Sequence, residues 1–247
     1  MFDLKGKRAL VTGSSRGIGR AIAIKLAECG AEVIVHGAGN AVKAQETADL
    51  IIKNGGKASV YICDLCEPEK VKNIISDIGN VDILVLNASV QIKKKWETIT
   101  VEDFNAQVNC NFLASMMMIQ SAVPYMREKK WGRIVTIGSV QEAKPHPDML
   151  VYSGSKAAQT NMVQSLSLQL ATDGITVNNV APGVIYTDRN VEALSDPEYA
   201  AKVTASIPVG FYGEPKDCAP MVALLCSDEG RYITGQNIFV DGGKSVQ

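Results

Sequence analysis

Short runs of consecutive apolar residues, rich in β-branched side chains, recur along the chain at 7–12 (KRALVT), 31–36 (AEVIVH), 57–62 (KASVYI), 81–87 (VDILVLN), 132–138 (GRIVTIG) and 174–180 (GITVNNV). A further run closes the chain at 237–243 (NIFVDGG). Between them lie longer stretches in which apolar residues return at helical spacing, so the pattern predicts strand and helix in alternation. Strands that are apolar on both faces, each followed by a helix, belong in a parallel sheet covered on both sides. The predicted fold is therefore a three-layer, doubly wound α/β domain with a mainly parallel seven-stranded sheet. The segment from about Thr187 to Pro208 is more polar and follows a strand end, and reads as a small helical lid. The stretch 111–123 (NFLASMMMIQSAV) is apolar around nearly its whole circumference, the pattern of a helix covered on more than one side.

Composition narrows the picture. The chain has 247 residues, 46% of them hydrophobic, with no repeat or linker-like tract, which suits one domain spanning 1–247. A formal charge of −1 provides no global field to attract nucleic acid or an anionic membrane. No run approaches the roughly 20 apolar residues that span a bilayer. The opening MFDLKGKR lacks the apolar core of a signal peptide, and the expected location is the cytoplasm. The six cysteines are accordingly expected as thiols. CDLC at 63–66 has no second cysteine or histidine pair to complete a metal site, and no metal is expected.

The first strand runs into TGSSRGIGR (12–20), which opens a helix. Gly13, Gly17 and Gly19 permit a tight turn and a close approach to a pyrophosphate, whose charge suits the helix N-terminus. From here the chain resembles the short-chain dehydrogenase/reductase family, a Rossmann-fold family with this glycine spacing. The resemblance continues through CDLC, LNAS (86–89), VNCNF (108–112), IGSV (137–140), YSGSK (152–156), APGVIYTD (181–188) and ITGQNIFVDGG (233–243). It implies a nicotinamide dinucleotide seated on the glycine turn with Ser15, Arg16 and Ile18. By the same resemblance Asp64 and Leu65 hold the adenine, Asn87 and Ala88 border the adenosine ribose, and Pro182 and Gly183 lead into Val184 and Thr187, which meet the nicotinamide carboxamide or the pyrophosphate. Ser89 departs from the family, which usually has glycine there. The second strand ends in VIVHGAGN, without the acid that reads the ribose hydroxyls in NAD enzymes. Arg16 resembles the base that NADP-preferring members set against the 2′-phosphate, while Ala38 leaves their second basic residue missing. NADP(H) is expected over NAD(H).

Tyr152 and Lys156 stand four apart and share a helix face. A free tyrosine titrates near ~10, and an ammonium within about 4–6 Å can lower that by about 1–3 units. The resemblance makes Tyr152 the acid/base, Lys156 its tuning cation and ribose ligand, Ser139 the partner of the substrate oxygen, and Asn111 the holder of a proton-relay water. The reaction implied is hydride transfer between nicotinamide and a carbonyl or secondary alcohol. Gln141, Glu142 and His146, in the loop between Ser139 and Tyr152, are the expected substrate-reading side chains, with Gln91 and Lys93–Lys95 at the same mouth.

Polar walls suit a sugar, polyol or sugar acid. The runner-up is a 3-oxoacyl-carrier-protein reductase. Relatives of that kind dock an acidic carrier through basic residues, one of them just before GITVN, where this chain has Asp173. A reading from another class is a non-catalytic nucleotide-binding scaffold or redox sensor, against which stands the complete set of Asn111, Ser139, Tyr152 and Lys156. A homo-oligomer is expected from the apolar helix, a tetramer by the resemblance.

Overall fold

The computed structural model describes residues 2–247, apart from the side chains of Glu192 and Ala193. Seven strands form its sheet: β1 (Arg8–Val11), β2 (Glu32–Gly37), β3 (Lys57–Ile62), β4 (Ile83–Leu86), β5 (Gly132–Ile137), β6 (Ile175–Pro182) and β7 (Asn237–Val240). All neighbours are parallel, in the order β3-β2-β1-β4-β5-β6-β7. Successive residues of a strand point to opposite faces. Ala9 and Val11 thus enter one core and Leu10 the other, and both faces are apolar. The last strand is shorter than the NIFVDGG run, because Gly242 and Gly243 take φ of 64° and 87° and turn the chain out of the sheet.

On one face lie α1 (Gly17–Glu28), α2 (Ala41–Lys53) and α10 (Pro215–Cys226). The other face is covered by α3 (Pro68–Val71), α4 (Ile74–Ile78), α6 (Ala114–Lys129) and α7 (Leu150–Leu170). Sequence cues set several ends. Asn40 accepts from Lys43 N to cap α2, and Thr100 with Asp103 makes a capping box at α5 (Val101–Val108). The lid segment folds as α8 (Val191–Leu194) and α9 (Pro197–Ala205), the latter capped by Asp196 with Pro197 in its first turn.

The apolar stretch 111–123 is not one regular helix. A π-turn, Asn109–Leu113, joins α5 to α6, and its extra residue turns Asn111 inward. Phe112, Met116, Ile119, Met162 and Leu166 then line an outer groove of about 410 Å³ between α6 and α7. Because β1 and β4 are neighbours whose helices leave to opposite faces, the loops after them diverge and open a crevice at the carboxyl edge of the sheet. No helix among the described residues is long and apolar enough to cross a membrane.

Candidate active site

A cavity of about 510 Å³ occupies that crevice. At one end the glycine turn forms its floor. Gly13 and Gly17 have φ of 63° and 56°, which a side chain would strain. Gly19 lies behind the wall rather than on it, where a Cβ would come within 2.4 Å of both Asn87 Nδ2 and Gly13 O. Its part is to let α1 close onto the turn. Three side chains hold that turn. The Thr12 hydroxyl accepts from the amides of Asn87 and Ala88, and Asn87 Nδ2 donates back to the carbonyls of Thr12 and Gly13. His36, buried at the end of β2, accepts from Gly13 N at Nδ1 (3.0 Å), so Nε2 carries the proton and donates to Cys63 O (3.0 Å). Burial pulls this imidazole down to about 4, chiefly because a charged ring would be desolvated there.

These features fit a dinucleotide. Gly13 has no room for a side chain, and Arg16, the N-cap of α1, makes no side-chain cap bond, so the first amides of α1 suit a pyrophosphate. Arg16 is exposed and pairs with Asp188 at 3.4 Å, while Lys43 of α2 reaches the same carboxylate at 3.9 Å. Lys43, in the first turn of α2, thus places a second cation beside Arg16 at the edge of the crevice, where Ala38 provides none.

At the other end are the reactive groups. β5 delivers Ser139 at its tip, where the hydroxyl accepts from Gln141 N (3.2 Å) and faces the same cavity as the Tyr152 phenol. The first turns of α7 place Tyr152 and Lys156 side by side, the ammonium 5.8 Å from the phenol ring centre. Lys156 is fully buried, donating to Ile137 O (2.8 Å) and Gln159 Oε1 (3.0 Å), and Gln159 in turn donates to Ser115. Burial brings the ammonium down to about 8, aided by repulsion from Arg189. Burial likewise raises Tyr152, and among the influences that oppose it the charge of Arg189 comes first, followed by the Ser139 hydroxyl. Arg189 is thus the cation whose charge most opposes that rise.

The crevice brings together most of the residues singled out in the sequence. Gly13, Ser15, Arg16, Gly17, Ile18, Asp64, Leu65, Asn87, Ala88, Ser89, Pro182, Gly183, Val184 and Thr187 line it with Ser139, Tyr152, Lys156, Gln141 and His146. Asn111 stands behind the wall. Its amide accepts from Val90 N (2.8 Å) and donates to Val90 O (2.9 Å) and Ser155 Oγ (3.0 Å), anchoring the loop after β4. Glu142 corrects the sequence reading. Its carboxylate turns away from the cavity to accept from Thr160 (2.6 Å) and Asn179 (3.2 Å), because the 3-10 turn after Ser139, at about three residues per turn, swings Glu142 off the wall that Val140 and Gln141 line. Of the three lysines, Lys93 lines the cavity, Lys94 pairs with Asp103 at 2.6 Å, and Lys95 is off the wall. The sequence reading missed His36, Gln159, Lys43 and Arg189. For Arg189 one signal existed: a cation directly after the YTD turn, opposite the unusual Ser89.

Fold and crevice define a nicotinamide-dependent oxidoreductase, and the chain belongs to the short-chain dehydrogenase/reductase family. The family model described as enoyl-(acyl carrier protein) reductase matches residues 13–245. A 3-oxoacyl-[acyl-carrier-protein] reductase of Rickettsia conorii is 39% identical over 243 residues, 98% of each chain. The crystal structure of a 3-oxoacyl (acyl-carrier-protein) reductase from Agrobacterium tumefaciens C58 with NADP bound superposes with a TM-score of 0.93 at 39% identity, covering 98% of this chain and 95% of that one. A gluconate 5-dehydrogenase from Burkholderia cenocepacia J2315, in complex with NADP and tartrate, gives 0.92 at 29% identity, over 100% of this chain and 98% of that one.

Proposed function

We propose that this enzyme interconverts a secondary alcohol and a ketone on a small polyhydroxy compound, a sugar, polyol or sugar acid, with NADP(H) preferred over NAD(H). The observation that carries the chemistry is the convergence of Ser139, Tyr152 and Lys156 at the inner end of a crevice whose other end fits a dinucleotide. When bound, the nicotinamide supplies or accepts the hydride. Tyr152 gives its phenolic proton to the carbonyl oxygen in reduction and takes it back in oxidation. Ser139 donates to the same oxygen as charge develops on it. Lys156, poised at about 8 and held by Ile137 O and Gln159, is the group next in line to pass a proton inward or to bond ribose hydroxyls.

NADP preference is supported by Arg16 and Lys43 converging on one carboxylate, a geometry that a 2′-phosphate would satisfy when Asp188 swings aside. The crystal relatives with NADP point the same way. Against the carrier-protein reading stands Asp173, which pairs with Arg127 (2.8 Å) and Lys130 (3.1 Å) and offsets part of the charge of the patch that an acidic carrier would need, although Lys129 keeps the patch basic. Against a redox sensor stand the thiols, since burial pushes Cys66, Cys218 and Cys226 up to about 12, far from reactive thiolate. We also infer a cytoplasmic homo-oligomer, a tetramer, in which copies meet through the apolar groove of α6 and α7. Light scattering that gave a monomer at micromolar concentration would refute that assembly.

The functional test is a panel of polyols, sugar acids, β-keto esters and an acetoacetyl carrier-protein thioester with both cofactors, run with wild type and Tyr152→Phe. Turnover of polyhydroxy compounds by the wild type, and its loss in a variant that still binds cofactor, is expected. Efficient reduction of the thioester with no turnover of sugars or polyols would establish the carrier-protein reading instead.

A further inference from the structure

Arg189 opens the lid two residues beyond Thr187 and lines the same cavity as Ser139 and Tyr152. Its guanidinium donates to Ser89 O (3.0 Å), Ser89 Oγ (3.3 Å) and Gln91 Oε1 (3.4 Å). Those acceptors are neutral, and most of the bonds are long. Among the described residues no carboxylate forms an ion pair with Arg189, whereas Arg16, Arg127 and Arg133 each have one. An arginine fork held open by weak neutral bonds beside a reactive phenol is a ready receptor for a planar anion.

The rest of the substrate end agrees. Lys93, from the segment after β4, and Lys244, from the C-terminal turn, border the same cavity. Two acids line it, and neither offsets these cations. Asp64 lies at the adenine end and accepts from Cys66 N, and Asp188 is already shared by Arg16 and Lys43. Ser89 also gains a reason. Where a glycine would offer only its carbonyl, the serine adds a hydroxyl that steadies the guanidinium across the cleft.

We propose that Arg189 binds the carboxylate of the substrate, so that within the polyhydroxy class the enzyme takes a small open-chain hydroxy acid or its oxo form. This rests on the dehydrogenase reading above and narrows it. In oxidation the secondary alcohol loses its hydroxyl proton to the Tyr152 oxygen and a hydride to the oxidised nicotinamide, giving a ketone, while the carboxylate on Arg189 is unchanged. Neutral alditols of the same chain lack the charge that the fork matches and leave the guanidinium with its neutral partners.

The experiment compares gluconate, galactonate and tartrate with glucitol, galactitol and threitol, using wild type, Arg189→Gln and Arg189→Lys, with cofactor binding followed by fluorescence to verify each fold. The wild type is expected to favour at least one acid over its alditol by about 100-fold in kcat/KM, about 2.7 kcal/mol at about 1.36 kcal/mol per factor of ten, and the Gln variant to lose most of that ratio through KM. The Lys variant should recover part of it. Turnover of alditols as fast as acids, or a ratio unchanged in Arg189→Gln, overturns this proposal while leaving the polyhydroxy reading intact. Reduction of the carrier-protein thioester alone overturns both.

Discussion

His36 is a buried base whose neutral form holds the glycine turn, and its protonation gives a stability change that can be worked out in advance. Nδ1 accepts from Gly13 N, so a second proton there breaks the bond that shapes the dinucleotide floor. The ring is lowered from an ordinary 6.5 to about 4. Between those values the unfolded chain binds the proton and the folded one does not. The stabilisation is therefore complete above about pH 6.5, is lost as pH falls, and levels off below about pH 4. Two and a half units at about 1.4 kcal/mol each give at most about 3–4 kcal/mol, of which roughly 2 kcal/mol is lost between about pH 7 and about pH 4.5. His36→Asn keeps an acceptor near Gly13 N and removes the titration. Urea unfolding of both proteins at one protein concentration should show a wild-type stability that falls more steeply with acid than the variant's, by about 2 kcal/mol over that interval. Parallel profiles would mean that His36 is not the titrating group.

Two more follow from the placements described above. Arg16→Ala and Lys43→Ala should each raise the KM for NADPH by about tenfold or more and barely move that for NADH, since a charged hydrogen bond is worth roughly 1.5–3 kcal/mol; equal shifts for the two cofactors would show that neither residue reads the 2′-phosphate. Glu142→Ala should lower stability by about 1–3 kcal/mol, leaving Thr160 and Asn179 short of a partner, while substrate KM holds; a KM change with an unchanged Tm would return Glu142 to the substrate wall.

The strands were legible because their message is redundant. Consecutive apolar residues such as ILVL at 83–86 are buried on both faces, and only a covered parallel sheet accommodates that. Helix ends carrying their own caps, as at Thr100 and Asp196, were equally local. The π-turn at Asn109–Leu113 was not, since its cause lies elsewhere in the chain. Asn111 turns inward to bond Val90, some 21 residues earlier, and no periodicity in 111–123 records that partner.

The same distinction separates the site residues that sequence could place from those it could not. Gly13 and Gly17 declare themselves because the backbone at those points needs a positive φ, and Tyr152 and Lys156 because four residues of helix fix their relation. Glu142 failed because polarity says only that a side chain needs partners. It found Thr160 and Asn179 behind the wall, which satisfy a carboxylate as well as a ligand would. Arg189 and Ser89 are a hundred residues apart, and each alone looks like a surface cation and an ordinary hydroxyl. Their meaning is a property of the pair. The lid carries the charge, the loop after β4 supplies the acceptors, and the cleft between them is where the substrate must lie to reach Tyr152.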